Sequence, residues 1–119
     1  MTATLQTIAE RYPDLTGGGF PGGEPHERPN LLDHQEEFDA AMRFLQGVKV
    51  TSRANSPITS YALKGVAQAW SGQYISNGAM IAALIASGVP IDRVSDESPN
   101  VRFGIMKGWV TWRSKRYAD

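Results

Sequence analysis

The sequence predicts an α+β fold: a small helical domain with a central helix pair and a C-terminal β-hairpin, in winged-helix-like element order. Two observations predict this fold. A pair of capped apolar helices lies within residues 58–88, and apolar and polar side chains alternate after residue 100. The expected order from residue 31 is helix, strand, helix, helix, strand and strand. We therefore expect a short helix with a flexible Gly/Pro-rich arm over residues 1–30, and one winged-helix-like domain over residues 31–119.

The central helix pair contains most of the predicted core. Its first helix has an apolar stripe at i, i+3, i+4 and i+7, formed by Leu63, Val66, Ala67 and Trp70. The second helix, residues 78–87, has no charged residue, so we expect it to be buried on all sides. Ser76 or Asn77 is its predicted N-cap, and Gly88 is its predicted end. Its apolar run is well short of the roughly 18–20 residues that a membrane span requires.

The segments before this pair are less regular. A short helix is predicted from Thr4 to Tyr12. Residues 16–30 hold five glycines and three prolines, which predict an irregular, flexible tether. Asn30 is the predicted N-cap of a helix that ends near Gln46. Residues 48–53 alternate apolar and polar side chains and predict a short strand. The apolar stripe of the helix after Asn30 consists of Leu32, Phe38, Met42 and Leu45.

The C-terminal region is predicted to form the hairpin. Residues 101–105 alternate apolar and polar side chains, and residues 109–113 are again strand-like. The three-residue loop 106–108 ends in Gly108, which takes the left-handed conformation that such a turn requires. Trp109 and Trp112 have opposite parity on this strand, so we expect one of them to face the core.

Composition and charge limit the function. The chain has 119 residues, no cysteine and a formal net charge of zero, so disulfides and thiolate chemistry are excluded. The charge is unevenly spread. Residues 1–60 have five Lys/Arg and eight Asp/Glu, and residues 61–119 have seven and four. Residues 1–12 lack the pattern of a signal peptide, so we expect a cytoplasmic protein.

The candidate binding residues lie at the basic C-terminal end. Cations there alternate with aromatic side chains, a combination that suits phosphate contact and base stacking. The candidate nucleic-acid-binding residues are Arg102, Lys107, Trp109, Trp112, Arg113, Lys115, Arg116 and Tyr117. At the start of the second helix of the pair, Tyr74, Ser76 and Asn77 are the candidate contacts. The rest of that helix lacks the side chains that read base edges.

Catalysis and metal binding are not expected. His34 and Glu37 have i, i+3 spacing, but a metal site usually needs three or four ligands and the sequence has no further cluster. The serines have no nucleophile motif around them. We therefore predict a non-enzymatic protein with no catalytic residue, no metal and no cofactor.

One stretch resembles a known group of proteins. It contains Ser60-Tyr61, Leu63-Lys64, residues 74–79 (YISNGA) and Ile81-Ala82-Ala83. Through these residues, roughly positions 59–103 resemble small, mostly uncharacterised proteins of bacterial phages and integrative mobile elements. The resemblance implies a mobile-element accessory protein and supplies no catalytic residues.

Two functions are consistent with these patterns. The first is a nucleic-acid-associated accessory or regulatory protein that contacts the phosphate backbone through the C-terminal hairpin. The second is a protein-interaction module, an inhibitor or adaptor of a host or phage protein that does not bind nucleic acid. The exposed aromatic side chains expected at the C-terminus favour this alternative as well. The sequence indicates no membrane association and does not define an oligomeric state.

Overall fold

The protein is an α+β fold in which one buried helix is surrounded by the other elements. The computed structural model describes residues 3–21 and 30–116, with the Arg116 side chain excepted. Within these ranges, no helix has both the length and the apolar character needed to cross a membrane. The elements are helix α1 (Leu5–Arg11), a 3₁₀ turn (Leu31–His34), helices α2 (Gln35–Phe44), α3 (Ser60–Ser71) and α4 (Asn77–Ala86), strands β1 (Ile91–Arg93) and β2 (Val101–Phe103), and helix α5 (Trp109–Arg116).

Helix α4 is the centre of the core, as its uncharged sequence predicted. Residues 79–84 are completely buried, and α4 contacts α1, α2 and α3. The hydroxyl of Ser76 accepts a hydrogen bond from the Ala79 backbone N–H at 3.2 Å, so the predicted N-cap is confirmed. Gly88 follows the helix with a φ of +77°, a conformation that favours glycine. Leu63 and Phe38 lie in the same hydrophobic core.

Helix α2 begins one turn later than the sequence predicted. Asn30 does accept a hydrogen bond from the Leu32 N–H at 3.0 Å, but the residues after it form a 3₁₀ turn. Because a 3₁₀ turn has three residues rather than 3.6, the buried face shifts. Leu31 is buried and Leu32 is 40% exposed, so the predicted core position of Leu32 was wrong.

The arm after α1 is not a free tether over its described part. The Gly78 N–H donates to the Gly17 carbonyl at 2.9 Å, and the Phe20 N–H donates to the Pro99 carbonyl at 3.1 Å. Phe20 is only 9% exposed. A side chain at Gly78 would overlap the Thr16 backbone, so the close approach requires glycine there. Residues 22–29 lie outside the described part of the chain. The predicted helix at 4–12 is confirmed.

The hairpin follows the central helix pair, and one of its strands lies within the predicted strand 101–105, but that strand pairs with residues 91–93 and not with residues 109–113. Strand β1 pairs antiparallel with β2, with Asp92 opposite Arg102. Residues 109–113, predicted as the second hairpin strand, belong to helix α5 instead, in which Trp109 packs against Phe44 in the core. The strand predicted at 48–53 is reduced to one bridge between Val50 and Ile105. The α+β class is thus confirmed and the C-terminal hairpin was wrong.

Candidate functional site

Helix α5 divides the predicted binding residues into a buried set and an exposed set. Trp109 is buried, and its ring makes an edge-to-face contact with Phe44 at a centroid distance of 5.9 Å. Trp112 is 52% exposed, with its ring centroid 6.4 Å from that of Trp109. The expectation that one of the two tryptophans faces the core is confirmed, although both lie on a helix and not on a strand. Of these two tryptophans, Trp112 is the one whose ring is exposed to solvent.

Arg113 is held within the fold. Its Nε donates to the Phe44 carbonyl at 2.9 Å, and its Nη2 donates to the Arg43 carbonyl at 2.7 Å. These carbonyls lie at the C-terminal end of α2, where a cation is favourable for the helix dipole. The guanidinium also lies over the Trp70 ring, 4.6 Å from its centroid. Arg113 therefore fastens α5 to α2 and is less available to a partner than the sequence suggested.

Three other C-terminal cations, Arg102, Lys107 and Lys115, are on the surface. Arg102 is exposed on β2, although its Nη1 donates to the Ser56 carbonyl at 2.8 Å. Lys107 and Lys115 are exposed, and neither side chain bonds to a described residue. The Arg116 side chain and all of Tyr117 lie outside the described residues. Lys115 follows Trp112 by three residues, so the two side chains share one face of α5.

The candidate contacts at the start of α4 are mostly inside the molecule. Ser76 and Asn77 are buried, so the structure does not present them to a partner. The Asn77 side chain accepts from the Ser60 hydroxyl at 2.9 Å and donates to the Asn100 side chain at 3.0 Å. Tyr74 is exposed, and the Lys64 ammonium lies 4.6 Å from its ring centroid. Because α4 is buried, it cannot enter a DNA groove as a recognition helix.

His34 and Glu37 bind each other. Their Nδ1 and Oε2 atoms are 2.9 Å apart, and Glu37 also accepts the Ser76 N–H at 2.6 Å. Burial acts to raise the pKa of Glu37, but hydrogen bonds from His34 and Ser76 outweigh it and hold that pKa below its ordinary value. No group of three or more His, Asp or Glu that could hold a metal occurs within residues 3–21 and 30–116.

The charges are separated along the chain. Residues 40–91 contain no Asp or Glu, and neither do residues 98–118. The segments 49–58 and 102–116, which meet at the Val50–Ile105 bridge, together carry seven Lys/Arg and no acidic residue. The acidic residues of α2 and the preceding turn lie within residues 33–39, and Asp92 lies opposite Arg102 in the hairpin. Segments 49–58 and 102–116 therefore form a cationic region although the protein is neutral overall.

An apolar groove opens in this cationic region, and the sequence analysis did not predict it. Its volume is about 750 Å³, and most of its lining surface is apolar. It is lined by segments 51–58 and 103–108, by Val66 of α3 and by one face of α5. These parts are distant in sequence, so no local pattern indicated the groove. Arg53 and Lys107 line it, and no carboxylate of the described residues does.

In comparisons with known proteins, no family model matches this chain, and no curated protein or solved structure matches it significantly.

Proposed function

We propose that the protein is a non-enzymatic, nucleic-acid-associated accessory or regulatory protein of phage or mobile-element origin that acts in the cytoplasm. One observation carries this proposal: segments 49–58 and 102–116, which meet at the Val50–Ile105 bridge, contain seven Lys/Arg and no Asp or Glu, although Asp92 lies opposite Arg102 in the hairpin. Such an excess of positive charge attracts phosphate. The phage or mobile-element origin is supported only by the resemblance of residues 59–103.

The contacts are expected on the outer face of α5 and beside it. Lys107 and Lys115 have exposed ammonium groups without partners among the described residues, so phosphate contact disrupts nothing in the fold. Trp112 is exposed beside Lys115 on α5, where an unpaired base can stack on it. Because phosphate contacts carry no sequence information, binding should depend on salt and little on sequence.

A titration with labelled DNA tests the proposal. We expect binding of a single-stranded oligonucleotide and a matching duplex, weakening strongly between about 50 and 200 mM salt. Lys115→Glu should reduce affinity for every sequence alike. Arg11→Glu, an exposed residue outside the cationic segments with the same change in charge, is the matched control and should have a smaller effect. Trp112→Ala should weaken single-stranded binding more than duplex binding.

Two results would overturn nucleic-acid binding at this surface. One is the absence of a shift for the wild-type protein at the lower salt concentration with either oligonucleotide. The other is an equal loss of affinity for the Lys115 and Arg11 variants, which would mean that net charge alone is responsible.

The second candidate function is interaction with another protein, as an inhibitor or adaptor that does not bind nucleic acid. The apolar groove favours it, because concave apolar surfaces with a few polar groups are typical binding sites. Under this function, the cations beside the groove contribute to selection of the partner protein and do not bind phosphate.

A further inference from the structure

The apolar surface of the groove continues beyond the cavity itself. Three large apolar side chains at its lining or border remain exposed: Val50, Ile58 and Met106 are 45%, 36% and 50% exposed. Inside the groove, Val66, Ile105 and Val110 are only partly buried. Ile58 and Met106 line the cavity, whereas Val50 lies beside it, next to the lining residue Thr51. A segment of another protein can cover Val50 together with the cavity, so the extent of the apolar surface favours a macromolecular partner.

Three of the hydroxyl groups that line the groove are already bonded within the protein. The Ser56 hydroxyl donates to the Ile58 carbonyl and accepts the Phe103 N–H at 3.0 Å. The Ser114 hydroxyl donates to the Thr111 carbonyl at 2.9 Å, and the Thr51 hydroxyl donates to the Arg53 carbonyl at 3.1 Å. The side chains of Ser52, Asn55 and Thr111 also line the groove, are exposed and make no hydrogen bond with a described residue. Recognition in the groove can therefore combine apolar contact and charge with hydrogen bonds to these three side chains.

The charge at the groove has one sign. The side chains of Arg53 and Lys107 are exposed, and neither makes a hydrogen bond or an ion pair with a described residue. No described carboxylate lines the groove. Two cations without partners at an apolar surface are complementary to an acidic sequence with apolar side chains.

The aromatic content of the groove distinguishes a peptide from nucleic acid. Bases bind single-strand-binding proteins by stacking on exposed rings. Phe103 is the one aromatic side chain among the described lining residues, and it is 3% exposed. Trp112 does not line the groove. The groove therefore provides no stacking surface, whereas aliphatic side chains of a peptide fit its walls.

We propose that the groove is a docking site for an acidic segment of a partner protein. The segment inserts apolar side chains between α3, β2 and α5, and its carboxylates reach Arg53 and Lys107. This inference rests on the second candidate function. It shares Lys107 with the proposed phosphate contacts, but it does not use Trp112 or Lys115 on the outer face of α5.

Selection from a library of random twelve-residue peptides against the immobilised full chain tests this proposal. Enriched peptides should combine Asp or Glu with Leu, Ile, Phe or Met. The double variant Arg53→Glu/Lys107→Glu should bind the best enriched peptide at least about tenfold more weakly in fluorescence anisotropy. Arg11→Glu/Lys115→Glu changes net charge equally, alters no groove residue and should bind it within about threefold of wild type.

A second variant tests the apolar contact independently. Thr111 is exposed on the groove face of α5, so Thr111→Trp should fill the groove and weaken peptide binding without altering the core. Thermal melts of all variants establish that they are folded. If the charge-reversal variant Arg53→Glu/Lys107→Glu does not fold, Arg53→Gln/Lys107→Gln is used in its place. This variant should also bind the peptide more weakly than wild type.

Three outcomes would overturn the docking site: no enriched peptide, enriched peptides without an excess of acidic residues, or equal weakening by the two double variants. Displacement of the peptide by a single-stranded oligonucleotide would assign the groove to nucleic acid instead. A titration with labelled DNA that shows no binding would leave the peptide results unchanged, so the two proposals can fail separately.

Discussion

Asn77 and Glu37 near the start of α4 are bonded within the protein, whereas two of the cations in and beside α5 are not. Near α4, the Asn77 side chain bonds to four neighbours, and Glu37 bonds to His34 and Ser76. Near α5, Lys107 and Lys115 have no partner within the described residues, and apolar side chains stay exposed. Buried polar groups that are satisfied stabilise one fold, whereas unpaired surface groups are free to bind. We infer that the α4 region maintains the structure and the α5 region carries the function.

The largest expected effect tests the α4 side of this comparison. Leu84 is completely buried at the centre of the core, so Leu84→Ala should lower the free energy of unfolding by about 2–5 kcal/mol. Val110 of α5 is only partly buried at the groove, and Val110→Ala should cost about 1 kcal/mol or less. Urea denaturation of both variants measures the difference. Similar losses would mean that α5 is as much a part of the core as α4.

The sequence predicted α4 because the relevant information is local. Ser76, Gly88 and an uncharged run between them define the ends and the burial of the helix without reference to other segments. The helical state of α5 was missed because Trp109 to Arg113 has the aromatic and β-branched residues of a strand. Contacts of Trp109 with Phe44, and of Arg113 with the end of α2, decide its conformation.

The sequence predicted the candidate site only in part, because part of the site also depends on contacts between distant segments. The exposed cations Lys107 and Lys115 and the exposed Trp112 are where charge and aromatic content placed them. The docking of Phe20 depends on Pro99, which lies far along the chain, and the groove needs segments 51–58 and 103–108 together with α5. No periodicity or motif in one segment specifies such an assembly.

A smaller effect distinguishes two cations on the same helix. Arg113→Ala removes two hydrogen bonds to carbonyls of α2 and should cost about 1–3 kcal/mol in the free energy of unfolding. Lys115→Ala should change it by less than about 0.5 kcal/mol, because its side chain is exposed and unpaired among the described residues. Thermal or urea melts compare them. A large loss for Lys115→Ala would place it in the structure rather than on a binding face.

The smallest expected effect concerns pH and Glu37. Its pKa in the folded protein lies below the ordinary value of 4.5, because hydrogen bonds from His34 and Ser76 outweigh the effect of burial. A lowered folded pKa means that the ionised carboxylate stabilises the fold above pH 4.5, and that this contribution is lost as pH falls through the folded pKa. Glu37→Gln removes the charge but keeps an oxygen that can accept the Ser76 N–H. We therefore expect the variant to melt below wild type at neutral pH, with the gap in melting temperature closing as the pH falls below 4.5.

Asp33→Asn, at a nearby carboxylate that makes no side-chain hydrogen bond with a described residue, is the matched control. A gap for Glu37→Gln that stays constant from neutral pH to about pH 3 would show that the carboxylate charge contributes nothing to the region around α4.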